Sequence, residues 1–316
     1  MNKLWVRILL CVLAAVLLIV SVGFFFAAYM LGSINRGDGS FDDSNLAVNE
    51  DLSDDAINIA VFGVDSRTDD VSGRSDAMMI VSIDKKHKKI KAVSLMRDSL
   101  VEIEGYGKKK LNSAYAIGGV ELAIKTINQN YGMNITDYVT LNFNQLAGVV
   151  DVLGGVEVEI TEAERKNANK FIKEMANEAG VEAELIEESG TVTLYGYQAV
   201  AYARIRYVGN ADFERTERQR EVMRKLMDKA LDTSVLKYPA LINSLLPMVE
   251  TSLSNKEIMD LVWFVVFSGK PEFEEGRFPI DGTYKTNSNY AMVYDMEEAS
   301  EKLYSFIYED EPFYEE

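Results

Sequence analysis

An uncharged stretch of 24 mostly apolar residues, positions 8–31, constrains this chain more than any other feature of the sequence. A helix that crosses the hydrocarbon core of a bilayer needs about 20 apolar residues, whereas the apolar part of a cleaved signal peptide has only about 7 to 15. The length therefore predicts an uncleaved membrane anchor, with cleavage near residues 21–23 as the alternative. Lys3 and Arg7 precede the stretch, which predicts a cytoplasmic N terminus and an outward-facing remainder.

The anchor predicts the domain boundaries. Residues 1–7 form a cytoplasmic stub and residues 8–31 the transmembrane segment. Residues 32–56 are mostly small, polar and acidic without an apolar period, so we expect a flexible tether there. Residues 57–316 remain for the folded domain. The predicted location is the cell membrane, crossed once, with this domain outside the cell.

Composition limits the chemistry that the domain can perform. The chain has 316 residues, and 47% of them are hydrophobic, which is enough for a sizeable core. A net charge of -17 disfavours nucleic acid as a partner. One His and one Cys exclude an internal disulfide, a cysteine zinc site and catalysis by two histidines. Any catalysis would therefore depend on Asp, Glu, Arg, Lys and hydroxyl groups.

Strand and helix patterns alternate along the folded domain. Strands are predicted at 57–62, 77–83, 90–95, 138–142 and 156–160. Helices are predicted at 112–130, in a short segment that ends at 154–155, and within 215–267. The tail 273–308 is expected to hold a last strand or two and a helix. This alternation predicts an α/β fold whose sheet is covered by helices on both faces. Residues 161–189 are highly charged and mostly compatible with a helix, and we expect a solvated excursion there.

Two acidic residues flank the connection between the first two strands. Asp65 follows the first strand and Asp76 precedes the second, so neighbouring strands would bring both carboxylates to one edge of the sheet. Two carboxylates together with phosphate oxygens commonly hold a divalent ion such as Mg²⁺. The surrounding sequence is also typical of turns, so a purely structural role is the alternative.

The third predicted strand ends on Met96-Arg97-Asp98. Ligand-binding groups gather at strand ends in open α/β sheets, so Arg97 is well placed to bind an anion. A structural ion pair with Asp98 or another acid is the alternative.

Six arginines lie between residues 204 and 224 of this otherwise acidic chain. If residues 203–207 are extended, Arg204 and Arg206 point to the same side of the strand. Guanidinium groups bind phosphate through two parallel hydrogen bonds, so the pattern predicts a pyrophosphate site.

The same arginine-rich region continues into a predicted helix. The spacings of three and four place Asp212, Arg215, Arg218 and Gln219 on one face of that helix. The alternative is a solvated helix whose arginines pair with neighbouring glutamates, and it accounts well for Arg220 and Arg224.

The order of these segments resembles the LytR-CpsA-Psr proteins of mainly Gram-positive bacteria. The resemblance covers about residues 57–230 and rests on segments 58–67, 73–76, 93–98, 110–119, 150–156 and 204–219. It implies an α/β/α fold with a mixed central sheet, a long apolar pocket for a polyprenyl chain and an arginine-lined mouth. The short N-terminal stub and single predicted span are also similar to the family.

The resemblance implies a function and a set of site residues. The implied reaction transfers an anionic glycopolymer from an undecaprenyl-pyrophosphate carrier to a muramic acid hydroxyl of peptidoglycan, with Mg²⁺ as cofactor. Asp65 and Asp76 match the acids on the Mg²⁺ side. The positions that match the pyrophosphate side are Arg67, Arg97, Arg204, Arg206, Arg215 and Arg218, with Gln219 beside them. Met96 stands where many members have proline, which leaves the positioning of Arg97 open.

Phosphoryl transfer of this kind needs charge stabilisation and a base. Arginines and Mg²⁺ would stabilise the charge on the leaving lipid phosphate, with Arg97 and Arg215 as catalytic residues. Asp212 is the candidate base for the acceptor hydroxyl. Asp98 is a rival, and Asp212 could instead cap its helix.

Two other classes of function remain open from the sequence. The chain could bind polyprenyl pyrophosphate at the membrane without turnover, as a regulatory protein, or serve as a structural adaptor of the cell wall. The acids Asp65 and Asp76 favour the enzyme, because only a metal-assisted reaction strictly requires them. The motifs do not specify which glycopolymer is transferred.

Overall fold

The computed structural model describes residues 45–64, 73–205, 212–234 and 237–314, without the side chains of residues 179, 212, 213 and 239. The predicted stub, the predicted span 8–31 and most of the predicted tether lie outside these residues. None of the helices within them is both long and apolar enough to cross a membrane.

The last part of the predicted tether belongs to the folded domain. Leu46 is fully buried in the main core, and Asn128 donates a hydrogen bond to its carbonyl oxygen at 2.9 Å. The backbone N–H of Asn49 donates to the carbonyl of Met133 at 3.0 Å. The expectation of a free tether therefore does not hold for residues 45–56, because one apolar side chain and backbone pairing fix them to the domain.

A mixed six-stranded sheet forms the centre of the fold, in the order β10-β3-β2-β1-β6-β9. β1 runs parallel to β6 and β3 runs parallel to β10, while the other neighbours are antiparallel. The predicted mixed sheet is thus confirmed. The strands of the described chain are β1 (Ala56–Val64), β2 (Ser75–Asp84), β3 (Lys89–Leu95), β4 (Leu100–Ile103), β5 (Gly107–Lys110), β6 (Asp137–Asn142), β7 (Val156–Ile160), β8 (Gly190–Leu194), β9 (Glu250–Thr251), β10 (Glu272–Phe278), β11 (Lys285–Thr286) and β12 (Met292–Val293).

Helices cover both faces of this sheet, as the alternating sequence pattern predicts. They are α1 (Asn112–Tyr131), α2 (Phe143–Val152), α3 (Glu162–Ala179), α4 (Gly196–Arg204), α5 (Asp212–Asp232), α6 (Tyr238–Leu245), α7 (Asn255–Ser268) and α8 (Met296–Tyr308). α1 and α8 pack on one face of the sheet around the main core. α2 to α5 surround a second core.

Alternation along β1 divides these two sides. Ala60, Phe62 and Val64 point into the main core, where each is fully buried. Burying a side chain the size of Phe62 contributes roughly 1.5–3 kcal/mol to folding. Val61 and Gly63 point to the opposite face and open onto a pocket. A shift of one residue in the β1 register would exchange these two sets, so the core fixes which side chains reach the pocket.

The charged region 161–189 is part of the second core, so the prediction of a solvated excursion is wrong. α3 begins with a capping box between Thr161 and Glu164. Its side chains at Ala168, Ile172 and Met175 follow helical spacing and are buried. The predicted strand 156–160 forms as β7, but it pairs with β8 in a separate hairpin and not with the central sheet.

Candidate functional site

The site lies where the parallel strands β1 and β6 end. Gly63 pairs with Leu141 and Val64 with Asn142 at this edge of the sheet. Asn142 then caps α2, because its side chain accepts from the N–H of Gln145 while the Gln145 side chain accepts from the N–H of Asn142. This cap turns the chain sharply from strand to helix beside the end of β1. Ligands of α/β sheets commonly bind at such carboxyl ends.

A pocket opens between this sheet edge and the helices α2 to α5. Gly63 lies beside Ala77 in the pocket wall, where a Cβ on residue 63 would come to 3.1 Å from the Cβ of Ala77. The apolar lining residues are Val61, Gly63, Ala77, Met79, Leu141, Phe143, Leu146, Phe171, Val200, Ala203, Val222, Met223 and Leu226. The polar lining residues are Asp76, Asn142, Arg204, Arg215 and Gln219. The pocket is therefore apolar in most of its wall and carries two arginines.

Asp76 connects the pocket to the end of β3. Nη1 of Arg97 donates to Oδ1 of Asp76 at 2.6 Å, and Nε of Arg97 lies 3.3 Å from Oδ2 of Asp98. Nζ of Lys110 donates to the other oxygen of Asp98 at 2.6 Å. Asp76 faces the pocket as predicted, but Arg97 and Asp98 are not among the lining residues and reach the pocket through Asp76.

Arg204 is the last residue of α4 and lies against two aromatic rings. Its Cζ is 4.4 Å from the ring centre of Phe143 and 5.3 Å from that of Phe171. Both distances fall within the range of cation–π attraction. Because Ala203 and Arg204 are helical, the extended geometry expected for residues 203–207 does not hold at its first two positions.

Arg215 and Gln219 face the pocket from α5, one helical turn apart. Arg215 is 3% exposed. Val222 and Leu226 lie further along the same face of α5 and are buried in the second core. The spacing of three and four residues that predicted a shared face is confirmed for Arg215 and Gln219.

Arg218 faces away from the pocket, which corrects the expected placement of this residue. Its Nε donates to Oε1 of Glu164 at 2.9 Å, its Nη2 to Glu214 at 2.8 Å and its Nη1 to the carbonyl of Ile205 at 3.2 Å. The side chain is 6% exposed. Three residues correspond to about 300° around a helix, and here this rotation is enough to direct Arg218 to a different neighbour than Arg215.

Arg220 was expected on the solvated side of the same helix, and that expectation is wrong. The residue is 8% exposed and donates to Glu217 at 2.9 Å and to Glu275 of β10 at 3.0 Å. Arg224 is exposed, as predicted. Arg218 and Arg220 thus each pair with an exposed glutamate of their own helix and also with a glutamate of a neighbouring element.

The structure does not describe the side chains of four predicted site residues. Asp65, Arg67 and Arg206 lie outside the described residues. Asp212 begins α5, one turn before Arg215, but its side chain also lies outside the description.

Comparison with known proteins agrees with this architecture. The sequence model of the LytR_cpsA_psr family matches residues 27–305. The chain belongs to this family. The resemblance inferred from the strand-end and arginine motifs is thus confirmed.

Relatives within the family carry two kinds of name. "Regulatory protein MsrR" of Staphylococcus aureus (strain COL) is 32% identical over 240 residues, covering 75% of this chain and 68% of the relative. "Polyisoprenyl-teichoic acid--peptidoglycan teichoic acid transferase TagU" of Halalkalibacterium halodurans is 33% identical over 241 residues, covering 75% and 72%. The solved structure "TagT bound to LI-WTA" has a TM-score of 0.63 and 25% identity over 87% of this chain and 96% of that one. The LytR-CpsA-Psr family thus includes transferases that act on teichoic acid.

Motif analysis missed the aromatic contacts of this family member. Phe143 follows the strand-end Asn142, and Phe171 lies in the segment that was expected to be solvated. The spacing of Ala168, Phe171, Ile172 and Met175 by three, one and three residues was the available signal, because it marks one apolar face of a helix. The high charge of the segment concealed that pattern.

Proposed function

We propose that this chain transfers an anionic glycopolymer from an undecaprenyl-pyrophosphate-linked carrier to peptidoglycan, forming a phosphodiester. The observation that carries the proposal is a pocket with apolar walls that also presents Arg204 and Arg215. Apolar walls suit a polyprenyl chain, and guanidinium groups suit its pyrophosphate. The transferase name of the Halalkalibacterium relative and the TagT complex with LI-WTA support the same class of substrate.

The proposed step is a displacement at phosphorus. An acceptor hydroxyl of peptidoglycan attacks the phosphorus that carries the glycopolymer, and the bond to the bridging oxygen breaks so that the lipid phosphate leaves. Arg215 and Arg204 stabilise the charge that develops on the phosphate oxygens. We assign proton removal to Asp212, because the carboxylate of the rival Asp98 is engaged by Arg97 and Lys110.

Arg97 acts in this proposal through Asp76. Its ion pair at 2.6 Å fixes the Asp76 carboxylate at the pocket edge and offsets the negative charge of this acid beside the proposed pyrophosphate site. Of the remaining predicted anion ligands, Arg67 and Arg206 stay proposals from the sequence. Arg218 is assigned no phosphate contact.

Asp76 is a suitable ligand for the proposed Mg²⁺ cofactor. A carboxylate has about four lone-pair positions, so a single carboxylate such as that of Asp76 can accept hydrogen bonds and bind a metal ion at the same time. Carboxylate oxygens are the ligands that Mg²⁺ prefers, and Asp65 would supply the second. When bound, the ion would neutralise charge on the pyrophosphate oxygens. Asp65→Asn should weaken Mg²⁺ binding, measured by calorimetry, without changing the melting temperature. Unchanged affinity would return Asp65 to a turn-forming role.

The proposed reaction can be tested directly. The full-length chain in detergent is incubated with a synthetic lipid-pyrophosphate-linked glycan, nascent peptidoglycan and Mg²⁺, and a covalent phosphodiester product is sought by mass spectrometry. We expect product with the native chain and none with a variant that combines Arg204→Ala and Arg215→Ala. Tight lipid binding without any product would favour the second candidate.

That second candidate is binding of polyprenyl pyrophosphate without turnover, in a regulatory role. It is favoured by the name of the Staphylococcus relative, which describes a regulatory protein. The same pocket would serve both roles, so only the product assay separates them.

Location is part of the proposal. We propose that residues 8–31 anchor the chain in the cell membrane and that the folded domain faces outward toward the peptidoglycan. Protease added to intact protoplasts should then degrade the folded domain, and N-terminal sequencing of the mature protein should begin at residue 1 or 2. A mature N terminus after residue 23 would contradict the anchor.

A further inference from the structure

Arg204 differs from Arg97 and Arg218 in how its guanidinium group is held. Arg97 uses its N–H groups for Asp76 and Asp98, and Arg218 uses three of its donors on Glu164, Glu214 and Ile205. Arg204 instead contacts the rings of Phe143 and Phe171. A cation–π contact attracts the guanidinium charge without a hydrogen bond to an acceptor atom, so it does not tie the N–H donors to a carboxylate or carbonyl oxygen.

We propose that Phe171, together with Phe143, is a positioning residue that holds Arg204 for the pyrophosphate of the lipid carrier. The proposal rests on the proposed function and concerns how that site obtains its preference for a pyrophosphate. Two aromatic faces restrict the rotation of a long side chain without occupying its hydrogen-bond donors. A restrained guanidinium group loses less conformational freedom when it binds phosphate, so the ligand is bound more tightly.

Two contacts N-terminal to Phe171 hold the part of α3 that carries it. In the first turn of α3, Glu164 pairs with Arg218 of α5 at 2.9 Å. Further along, Asn169 exchanges two hydrogen bonds of 2.9 Å with the backbone of Ile186. These contacts lie seven residues before and two residues before Phe171, and they fix the rotation of α3 that directs the ring to Arg204.

Arg218 also fixes the backbone next to Arg204. Its Nη1 donates to the carbonyl of Ile205, the C-cap residue that follows Arg204 at the end of α4. One buried arginine therefore holds both the helix that carries Phe171 and the chain beside the guanidinium group that Phe171 contacts. This explains why an arginine that faces away from the pocket is nonetheless tied so closely to it.

The test compares the binding of two ligands to two variants of Phe171. A polyprenyl pyrophosphate and the polyprenol of the same chain length are titrated into the full-length chain in detergent by calorimetry. Phe171→Met removes the ring but keeps an apolar side chain of similar volume. We expect it to weaken pyrophosphate-lipid binding roughly 3- to 10-fold and to leave polyprenol binding within about twofold. Phe171→Tyr, which retains the ring, should bind both ligands like the native chain.

Two controls separate positioning from simple packing. Leu146→Ala removes another apolar lining residue, on the same helix as Phe143, and should weaken binding of both ligands alike. In an Arg204→Ala background, Phe171→Met should cause no further loss of pyrophosphate-lipid affinity. Equal losses for both ligands, or an undiminished loss in the Arg204→Ala background, would overturn the positioning role and leave the proposed function intact.

The proposed function fails in a different way. If the native chain binds polyprenol and polyprenyl pyrophosphate equally well, the pocket has no anion site, regardless of the results with the Phe171 variants. Thermal melting checks that each variant is folded, and Phe171→Leu replaces Phe171→Met if that variant is not. The result with either ringless variant then supports or overturns the proposal.

Discussion

Helix α5 presents arginine to two different surroundings. On one face, Arg215 lines the apolar pocket with Gln219. On the others, Arg218 and Arg220 are tied to glutamates from α3, α5 and β10. All three residues are less than 9% exposed, so burial alone does not distinguish them. Their positions relative to the pocket do distinguish them: Arg215 lines a pocket that can admit a ligand, whereas Arg218 and Arg220 lie outside its lining and form ion pairs that tie α5 to α3 and β10.

This contrast shows how the same residue type serves binding in one place and stability in another. A buried carboxylate that loses its cation partner is left with an uncompensated charge, so removing a paired arginine weakens the fold. Arg215 instead lines a pocket that can admit an anionic ligand, so removing it should weaken binding and transfer. Substitutions along α5 should therefore divide into two groups.

The largest effect should come from Arg215→Ala. We expect transfer to fall roughly 10²- to 10³-fold, as for loss of one donor to a developing oxyanion, with a smaller loss of stability than in Arg218→Ala. Arg215→Lys should restore only part of the activity, since an ammonium group cannot form the paired hydrogen bonds of a guanidinium group. Rates come from the phosphodiester assay. Full activity of Arg215→Ala would remove α5 from the anion site.

Arg218→Ala should have the next largest effect, on stability. It leaves Glu164, whose side chain is 12% exposed, without its cation partner, and we expect the free energy of unfolding in urea to fall by about 3 kcal/mol. Replacing both partners, with Arg218→Met and Glu164→Gln, which keeps the capping box with Thr161, should recover much of that loss. If Arg218→Ala alone is as stable as the native chain, this ion pair does not hold α3 to α5.

Arg220→Ala should destabilise the domain less, by about 1–2 kcal/mol, because its partners Glu217 and Glu275 are partly exposed and can be solvated again. Arg224→Ala is the matched control on the same helix. Arg224 is exposed, so we expect neither stability nor transfer to change. Urea unfolding of the two variants side by side makes this comparison, and equal stability would place Arg220 among the solvated residues after all.

The smallest effect should be a pH dependence that involves Glu164. Burial acts to raise its pKa, but hydrogen bonds from Thr161 and Arg218 outweigh burial, so the pKa lies below its ordinary value of 4.5. A carboxyl group with a lowered folded-state pKa stabilises the fold fully above its unfolded-state pKa and loses this contribution as the pH falls through the folded-state pKa. Unfolding free energies between pH 6 and pH 3 should therefore decline less steeply in Glu164→Gln than in the native chain. Parallel curves would assign the acid sensitivity to other groups.

Local sequence patterns were sufficient for the elements that bury one regular face. The strands β1, β2 and β3 and the helix α1 appear close to their expected positions, because apolar runs and turn residues determine such elements within a few neighbours. The same patterns identified Asp76, Arg204, Arg215 and Gln219 as candidates, and these four line one pocket. Asp76 lies near a strand end, and a spacing of four residues places Arg215 and Gln219 on one face of α5, so local patterns sufficed for these three residues.

Contacts between distant segments determined the rest. The sequence contained Glu164 and Arg218 as ordinary charged residues, and only the packing of α3 on α5 makes them a buried pair. Likewise, Phe171 meets Arg204 because α3 covers the pocket, although the two residues are 33 positions apart. Helical spacing predicts which residues share a face of one helix. It does not state which neighbour that face meets, because the neighbour is chosen by the burial of apolar surface over the whole domain.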